Sequence, residues 1–218
     1  LIVTPSNPTG WFMRHDEMQI ILDYARQRGI WVVSDEVYNR SAYGLLHAPS
    51  FLEVAGADDL LLTINSFSKS WAMTGWRLGW MTGPAFAEEI IRDIALYDNM
   101  GPPTFTQFGG IAALKDGEEF IASQTALWES NIDRLMNWFA QKPHTHISRP
   151  KSTFYGFFKV DGEDDCLKLA MRLIDEVGLS LAPGCAFGKS CTGWLRLCFA
   201  VSQTKLDDAL GRLEKVIG

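Results

Sequence analysis

Leu60-Leu61-Leu62-Thr63-Ile64-Asn65-Ser66-Phe67-Ser68-Lys69-Ser70 is an apolar run that breaks into hydroxyls and one lysine, with Arg77 eight residues beyond that lysine. A short apolar run bounded by polar residues reads as a strand buried on both faces, the kind found inside a parallel sheet. Ligands of open α/β sheets bind beyond the carboxyl ends of the strands. The hydroxyls, Lys69 and Arg77 therefore stand where a ligand would be expected. A lysine amine there can be desolvated and act as a nucleophile toward carbonyls. Serine hydroxyls and an arginine fork suit a phosphate monoester.

An amine for an aldehyde beside a cradle for a phosphate points to one cofactor, pyridoxal 5'-phosphate. On its own a Ser-Lys pair after a strand reads as a solvated surface loop, so the surrounding sequence decides. Two more apolar strands end in polar residues. Leu1 to Thr4 leads into Ser6-Asn7-Pro8-Thr9-Gly10, and Ile30 to Val33 leads into Ser34-Asp35-Glu36-Val37-Tyr38. If the three strands are parallel neighbours, Asn7, Asp35, Tyr38 and Lys69 converge on one sheet edge. A carboxylate straight after an apolar run is costly to bury unless it meets a positive partner. A protonated pyridine nitrogen is such a partner.

The periodicity around these strands alternates between strand and helix. Helices are expected over Asp16–Arg28, closed by Gly29, and over Ala85–Leu96, Thr106–Lys115, Glu118–Gln141, Cys166–Val177 and Leu206–Ile217. Further strands are expected over Leu78–Met81, Phe154–Val160, Leu179–Leu181 and Trp194–Phe199. The fold class that follows is α/β: a mostly parallel, helix-flanked sheet, then a smaller α+β unit. The domains are read as 1–117, a long connecting helix over 118–142, and 143–218.

The chain has 218 residues, 47% of them hydrophobic, and a net charge of −6. That balance, with no basic cluster, argues against a nucleic-acid surface. No apolar run is long enough to span a bilayer, so no membrane partner is expected. Cys166, Cys185, Cys191 and Cys198 contain no C-x-x-C pair and no histidine at ligand spacing, so no metal site is expected. They read as core or semi-buried thiols of a reducing, cytoplasmic compartment. His15, His47, His144 and His146 read as surface residues, with no carboxylate near the last two. Gly184 to Ser190 imitates a phosphate loop, but three residues rather than four separate Gly184 from Gly188, and that reading fails. Trp71, Trp76 and Trp80 read as core packing around the lysine loop.

Asn-Pro-Thr-Gly, Ser-Asp-Glu-Val-Tyr, Ser-Phe-Ser-Lys-Ser-Trp-Ala-Met-Thr-Gly-Trp-Arg-Leu-Gly-Trp and Trp-Leu-Arg-Leu-Cys-Phe occur in this order. With Pro183-Gly184-x-x-Phe187-Gly188, they make the chain resemble, over essentially its whole length, the class I/II aminotransferases of the fold-type-I pyridoxal phosphate enzymes. The resemblance implies that Lys69 would form the Schiff base with the cofactor and then act as the base for the substrate's α-proton. Asp35 would pair with the pyridinium nitrogen. Asn7 and Tyr38 would hydrogen-bond the ring's phenolic oxygen. Ser66, Ser68 and Arg77 would hold the phosphate. Arg196, with Asn7, would clamp the substrate carboxylate. A cis Asn7–Pro8 bond is implied as well.

Singly, Asn7 reads as a turn former, Asp35 as a helix cap, Tyr38 as a core aromatic and Arg196 as a strand-edge surface residue. Nothing bland places them all at strand ends in this order. The implied function is transfer of an amino group between an L-amino acid and a 2-oxo acid, in a homodimer. Two alternatives stay open: an aminotransferase-like sensor domain of a transcriptional regulator, and a pyridoxal-phosphate-dependent C–S β-lyase. Leu1-Ile2-Val3-Thr4-Pro5 reads as mid-strand. The chain is thus expected to lack an N-terminal part and, alone, to hold cofactor weakly and be inactive. Donor specificity is not legible.

Overall fold

A computed structural model describes residues 1–218. The chain divides into two compact units, Leu1–Ser6 with Trp11–Ser123, and Asn7–Gly10 with Gln124–Gly218.

The first unit is built on a four-stranded sheet, β1 (Ile2–Val3), β2 (Val32–Asp35), β3 (Leu61–Ser66) and β4 (Gly79–Thr82), in that spatial order. β1, β2 and β3 run parallel, and β4 pairs antiparallel with β3. The three strands expected to be parallel neighbours are therefore adjacent. Asp35 sits beside Ile64 in the β2–β3 register.

Helix α1 (His15–Arg28) covers this sheet with Met18, Leu22 and Ala25, which pack with Val32, Phe51 and Leu61. It ends at Gly29, whose φ of 61° is left-handed, as expected for a glycine past a helix. The Ile30 N–H still bonds back to the Ala25 carbonyl (3.0 Å). Ile30 and Trp31 thus belong to the helix exit and stand exposed. The strand read from Ile30 begins two residues later, at Val32.

After β3 come the short helix α2 (Phe67–Ser70) and helices α3 (Glu88–Asn99) and α4 (Thr104–Asp116). Phe67, Trp71, Met73, Leu78 and Ile121 form a second cluster beneath the lysine turn. Trp71 is buried there and lies 5.1 Å from Phe67, centroid to centroid. Trp76 and Trp80 are exposed, so of the three tryptophans expected in the core only Trp71 is buried.

Helix α5 (Glu118–Phe139) contains the boundary between the units. The second unit has a sheet of β5 (Thr145–Ile147), β6 (Tyr155–Val160), β7 (Ala182–Pro183) and β8 (Trp194–Cys198), in the order β5-β6-β8-β7, all antiparallel. Helices α6 (Cys166–Val177) and α7 (Gln203–Ile217) complete it. Ile132, Leu135, Phe158, Leu173, Leu195 and Leu213 are among its fully buried side chains. The strand read over Leu179–Leu181 falls instead at Ala182–Pro183, because the Leu179 N–H caps α6 by bonding to the Leu173 carbonyl (3.0 Å).

His146 and Asp161 contradict one detail of the sequence reading. β5–β6 pairing brings Asp161 Oδ1 to 2.7 Å from His146 Nε2, so a carboxylate is near after all. No cluster of three or more ligating side chains exists, however.

Gly79 sets how closely β3 and β4 approach. A Cβ there would lie 2.6 Å from the Asn65 carbonyl oxygen, a backbone atom that cannot swing aside. Gly79→Ala is expected to destabilise the protein by about 1–3 kcal/mol, as overpacking does. The reading is a lower urea midpoint at unchanged slope. An unchanged midpoint would contradict the close approach.

Candidate active site

Two consecutive carboxylates stand where β2 ends, Asp35 as its last residue and Glu36 just beyond, and the pleat sends them to opposite faces. Glu36 goes inward and is 1% exposed. Its Oε1 accepts from Ser34 Oγ (3.0 Å) and from the Phe51 N–H (3.0 Å), and its Oε2 accepts from Ser50 Oγ (2.6 Å). Burial pushes the Glu36 carboxyl above its ordinary range, with the hydrogen bonds from Ser50, Phe51 and Ser34 pulling the other way. Sequence reasoning missed this residue. Ser50-Phe51-Leu52-Glu53 has the spacing of a capping box, but that spacing does not point to Glu36, fourteen residues away. Ser50 N–H indeed donates to Glu53 Oε2 (2.7 Å).

Asp35 faces the other way and is half-buried. Its Oδ1 accepts from the Val37 N–H (3.2 Å), which fixes the carboxylate while leaving it acceptor capacity. Tyr38 is buried and leads into a 3-10 turn, Asn39–Ser41, against which α2 packs. That packing sets Lys69 beside Tyr38. The Lys69 Nζ lies 6.0 Å from the centre of the Tyr38 ring.

Ser66 closes β3 and caps α2, its Oγ accepting from the Ser68 N–H (3.0 Å) and donating to the Leu78 carbonyl (3.3 Å). Ser68 is buried, Ser66 and Lys69 are half-buried, and Arg77 is exposed. Arg77 has a left-handed φ of 51°, an uncommon state for a residue with a side chain, and its Nη1 donates to the Thr74 carbonyl (2.9 Å). It directly precedes Leu78, whose carbonyl accepts from the Phe67 N–H (3.1 Å). Asp35, Tyr38, Ser66, Ser68, Lys69 and Arg77 therefore all belong to the first unit, on the segments that follow β2 and β3.

Asn7 and Arg196 belong to the second unit, where they meet directly. Arg196 Nη1 donates to Asn7 Oδ1 (2.7 Å), and the Asn7–Pro8 bond is cis. Arg196 lies on the half-exposed face of β8, opposite the buried Leu195 and Leu197. Its guanidinium carbon sits 4.2 Å from the Tyr155 ring centre and 4.8 Å from that of Phe187. Two aromatic faces hold the cation by quadrupole attraction. Its Nε is buried without a hydrogen-bond partner. A buried, unpaired N–H on a cation is costly unless an acceptor arrives, which suits an anionic ligand. Tyr155 was not read from the sequence, since nothing in its spacing marks it as a partner of Arg196.

A family model for aminotransferases of class I and II matches residues 1–213. The chain is 31% identical to an aspartate aminotransferase of Pyrococcus abyssi, over 100% of this chain and 56% of that protein. It is also 31% identical to an LL-diaminopimelate aminotransferase of Moorella thermoacetica, over 98% of this chain and 55% of that one. Among solved structures, a PLP-dependent aminotransferase from Streptococcus suis superposes with a TM-score of 0.90 at 28% identity, covering 99% of this chain and 56% of that one. The chain thus spans little more than half the length of the relatives it matches.

Glu36 offers a test of how this edge is held. Its folded-state pKa is raised, so the folded protein holds the proton more tightly than the unfolded chain. Stability from this group falls as pH rises from the unfolded value of 4.5 through the folded one. Glu36→Gln keeps the shape and one acceptor, and is expected to gain on the native protein as pH rises from 5 to 8. Glu36→Ala strands the Phe51 N–H and is expected to cost about 1–3 kcal/mol. Urea midpoints at both pH values decide it. A Gln-to-native difference that does not change with pH would show that Glu36 does not titrate as its burial requires.

Proposed function

This chain belongs to the aminotransferase class I and II family, and we propose that the protein transfers an amino group between an L-amino acid and a 2-oxo acid with pyridoxal 5'-phosphate. The observation that carries the reading is the seating of Lys69 Nζ over Tyr38, on the helix that follows β3, with Asp35 ending the adjacent parallel strand. The groups present fit such a cofactor: an amine, a carboxylate, a phenol, two hydroxyls and a guanidinium. No metal-binding cluster competes with them.

In this reading Lys69 would hold the cofactor at its aldehyde, Asp35 at its pyridine nitrogen, Tyr38 at its phenolic oxygen, and Ser66, Ser68 and Arg77 at its phosphate. Pyridoxal phosphate supplies an electron-withdrawing ring that accommodates the charge left when the substrate's α-carbon loses its proton. Lys69 Nζ would be the base for that proton. Asp35, held by the Val37 N–H, would face the ring nitrogen. The buried Glu36 network keeps Asp35 in place from the opposite face of the strand. Arg196 binds the substrate's α-carboxylate through two parallel N–H donors, with Asn7 fixing Nη1 and the flanking rings fixing the guanidinium plane.

We further propose a homodimer in the cytoplasm. Ile90, Ile94 and Tyr97 of α3 and Phe105 and Phe108 of α4 are exposed, a face that favours being covered. All four cysteines are free thiols, in keeping with a reducing compartment. No helix is long and apolar enough to cross a membrane.

In the full-length protein Lys69→Ala is expected to lower kcat by on the order of 10²–10⁴-fold or more and to abolish the bound cofactor's visible absorbance, with the circular dichroism spectrum retained. Native-like turnover in this variant would overturn the mechanism. Arg196→Lys keeps the charge but loses the bidentate fork, and is expected to raise KM for the amino donor by roughly tenfold or more. An unchanged KM would remove Arg196 from the carboxylate. Product formation must require an added 2-oxo acid. Ammonia release without one would identify a lyase instead.

A further inference from the structure

Cys166 opens α6 and is 2% exposed, whereas Cys185 is exposed in the 3-10 turn Gly184–Phe187. The two meet although they lie nineteen positions apart in the sequence. The Cys185 N–H donates to Cys166 Sγ at 3.4 Å, which brings the two residues together. Burial pushes the Cys166 thiol up, but the N–H groups of Cys185, Gly193 and Gly184 and the Cys185 thiol outweigh it, so the net shift is down. The Cys185 thiol is pushed up, chiefly by its contact with Cys166. A buried thiol with donors aimed at its sulfur and a second thiol against it is the arrangement of a resolving pair.

The turn that carries Cys185 is held firmly. Gly184 has no room for a side chain, since a Cβ would lie 2.2 Å from the Cys191 carbonyl and 2.7 Å from that of Trp194. Just before it, β7 pairs Ala182 with Arg196. Two residues after Cys185, Phe187 lies over the Arg196 guanidinium. A covalent change at Cys185 therefore acts on one wall of the Arg196 pocket.

We propose that Cys166 and Cys185 form a redox-active dithiol, a modification site whose closure to an intramolecular disulfide pulls the Gly184–Phe187 turn toward α6 and loosens Phe187 from Arg196. The oxidant is a small-molecule disulfide of the glutathione class. The exposed Cys185 thiolate attacks one sulfur of that disulfide, forming a mixed disulfide and releasing one thiolate. The Cys166 thiolate then attacks Cys185 Sγ, the protein S–S bond forms, and the second small thiolate leaves. The two thiol protons pass to the two released thiolates, so two protein thiols are oxidised and one small disulfide is reduced. An S–S bond of about 2 Å draws the two sulfurs closer than any non-bonded contact, which is why the turn must move. The consequence for Arg196 rests on its role as the substrate carboxylate's ligand. The disulfide itself does not.

The test is to equilibrate the reduced holoenzyme with glutathione and its disulfide at graded ratios, block free thiols with N-ethylmaleimide and map the peptides by mass spectrometry. The expected product joins the Cys166 and Cys185 peptides with loss of two hydrogens, while Cys191 and Cys198 carry the blocking group. In parallel, KM for the amino donor is expected to rise by roughly threefold or more. It returns after dithiothreitol, and it does not rise in Cys185→Ser. A persistent glutathione adduct at Cys185, unmodified Cys166, or a bond to Cys191 or Cys198 would overturn the dithiol. A proven Cys166–Cys185 bond with unchanged KM would overturn the coupling to Arg196. Should Arg196→Lys itself leave KM unaltered, the assignment of Arg196 fails, and the coupling with it, while the disulfide stands.

Discussion

β2 and β3 run parallel with Ser34 beside Thr63 and Asp35 beside Ile64, and everything at this sheet edge follows from that register. Parallel strands deliver their carboxyl ends to the same side. The residues after Asp35 and those after Ile64 therefore share an edge, and α2 can pack on the turn that follows Tyr38. Side-chain alternation then separates two adjacent carboxylates. Glu36 is sealed by three neutral donors, while Asp35 stays half-buried and open to a partner. A one-residue slip would exchange their faces. It would bury Asp35 without its donors and present Glu36 at the edge.

The second unit applies the same period to a different end. On β8 the pleat buries Leu195 and Leu197 and leaves Trp194 and Arg196 on the other face. There the cation packs on the Tyr155 and Phe187 rings, with Asn7 on one nitrogen. Its position is set by packing against the two rings, on which a planar guanidinium can stack. Phe187 arrives on the same turn as Cys185, so the proposed carboxylate site and the proposed dithiol share one short segment.

Much of this was legible in the sequence, and the reasons are local. Apolar runs that end in Asn7, Asp35 or Lys69 announce buried strands with chemistry at their tips. The helices follow from their periodicity to within a few residues. The misplaced boundaries share a cause: Ile30 and Leu179 are apolar residues after a glycine cap, and each spends its N–H on the helix it leaves. Periodicity cannot see that bond. Glu36, Tyr155 and the Cys166–Cys185 contact were not legible, because each depends on a partner distant in sequence. His146 and Asp161 met for the same reason, through β5–β6 pairing.

Whether Lys69 holds the cofactor's aldehyde can be decided by chemical trapping. The protein would be loaded with pyridoxal phosphate, reduced with borohydride, digested and mapped for the phosphopyridoxyl group. Stoichiometric label on the peptide containing Lys69, and on no other, is the result predicted. Label distributed over surface lysines such as Lys115 and Lys205, or concentrated on any lysine but Lys69, would contradict it.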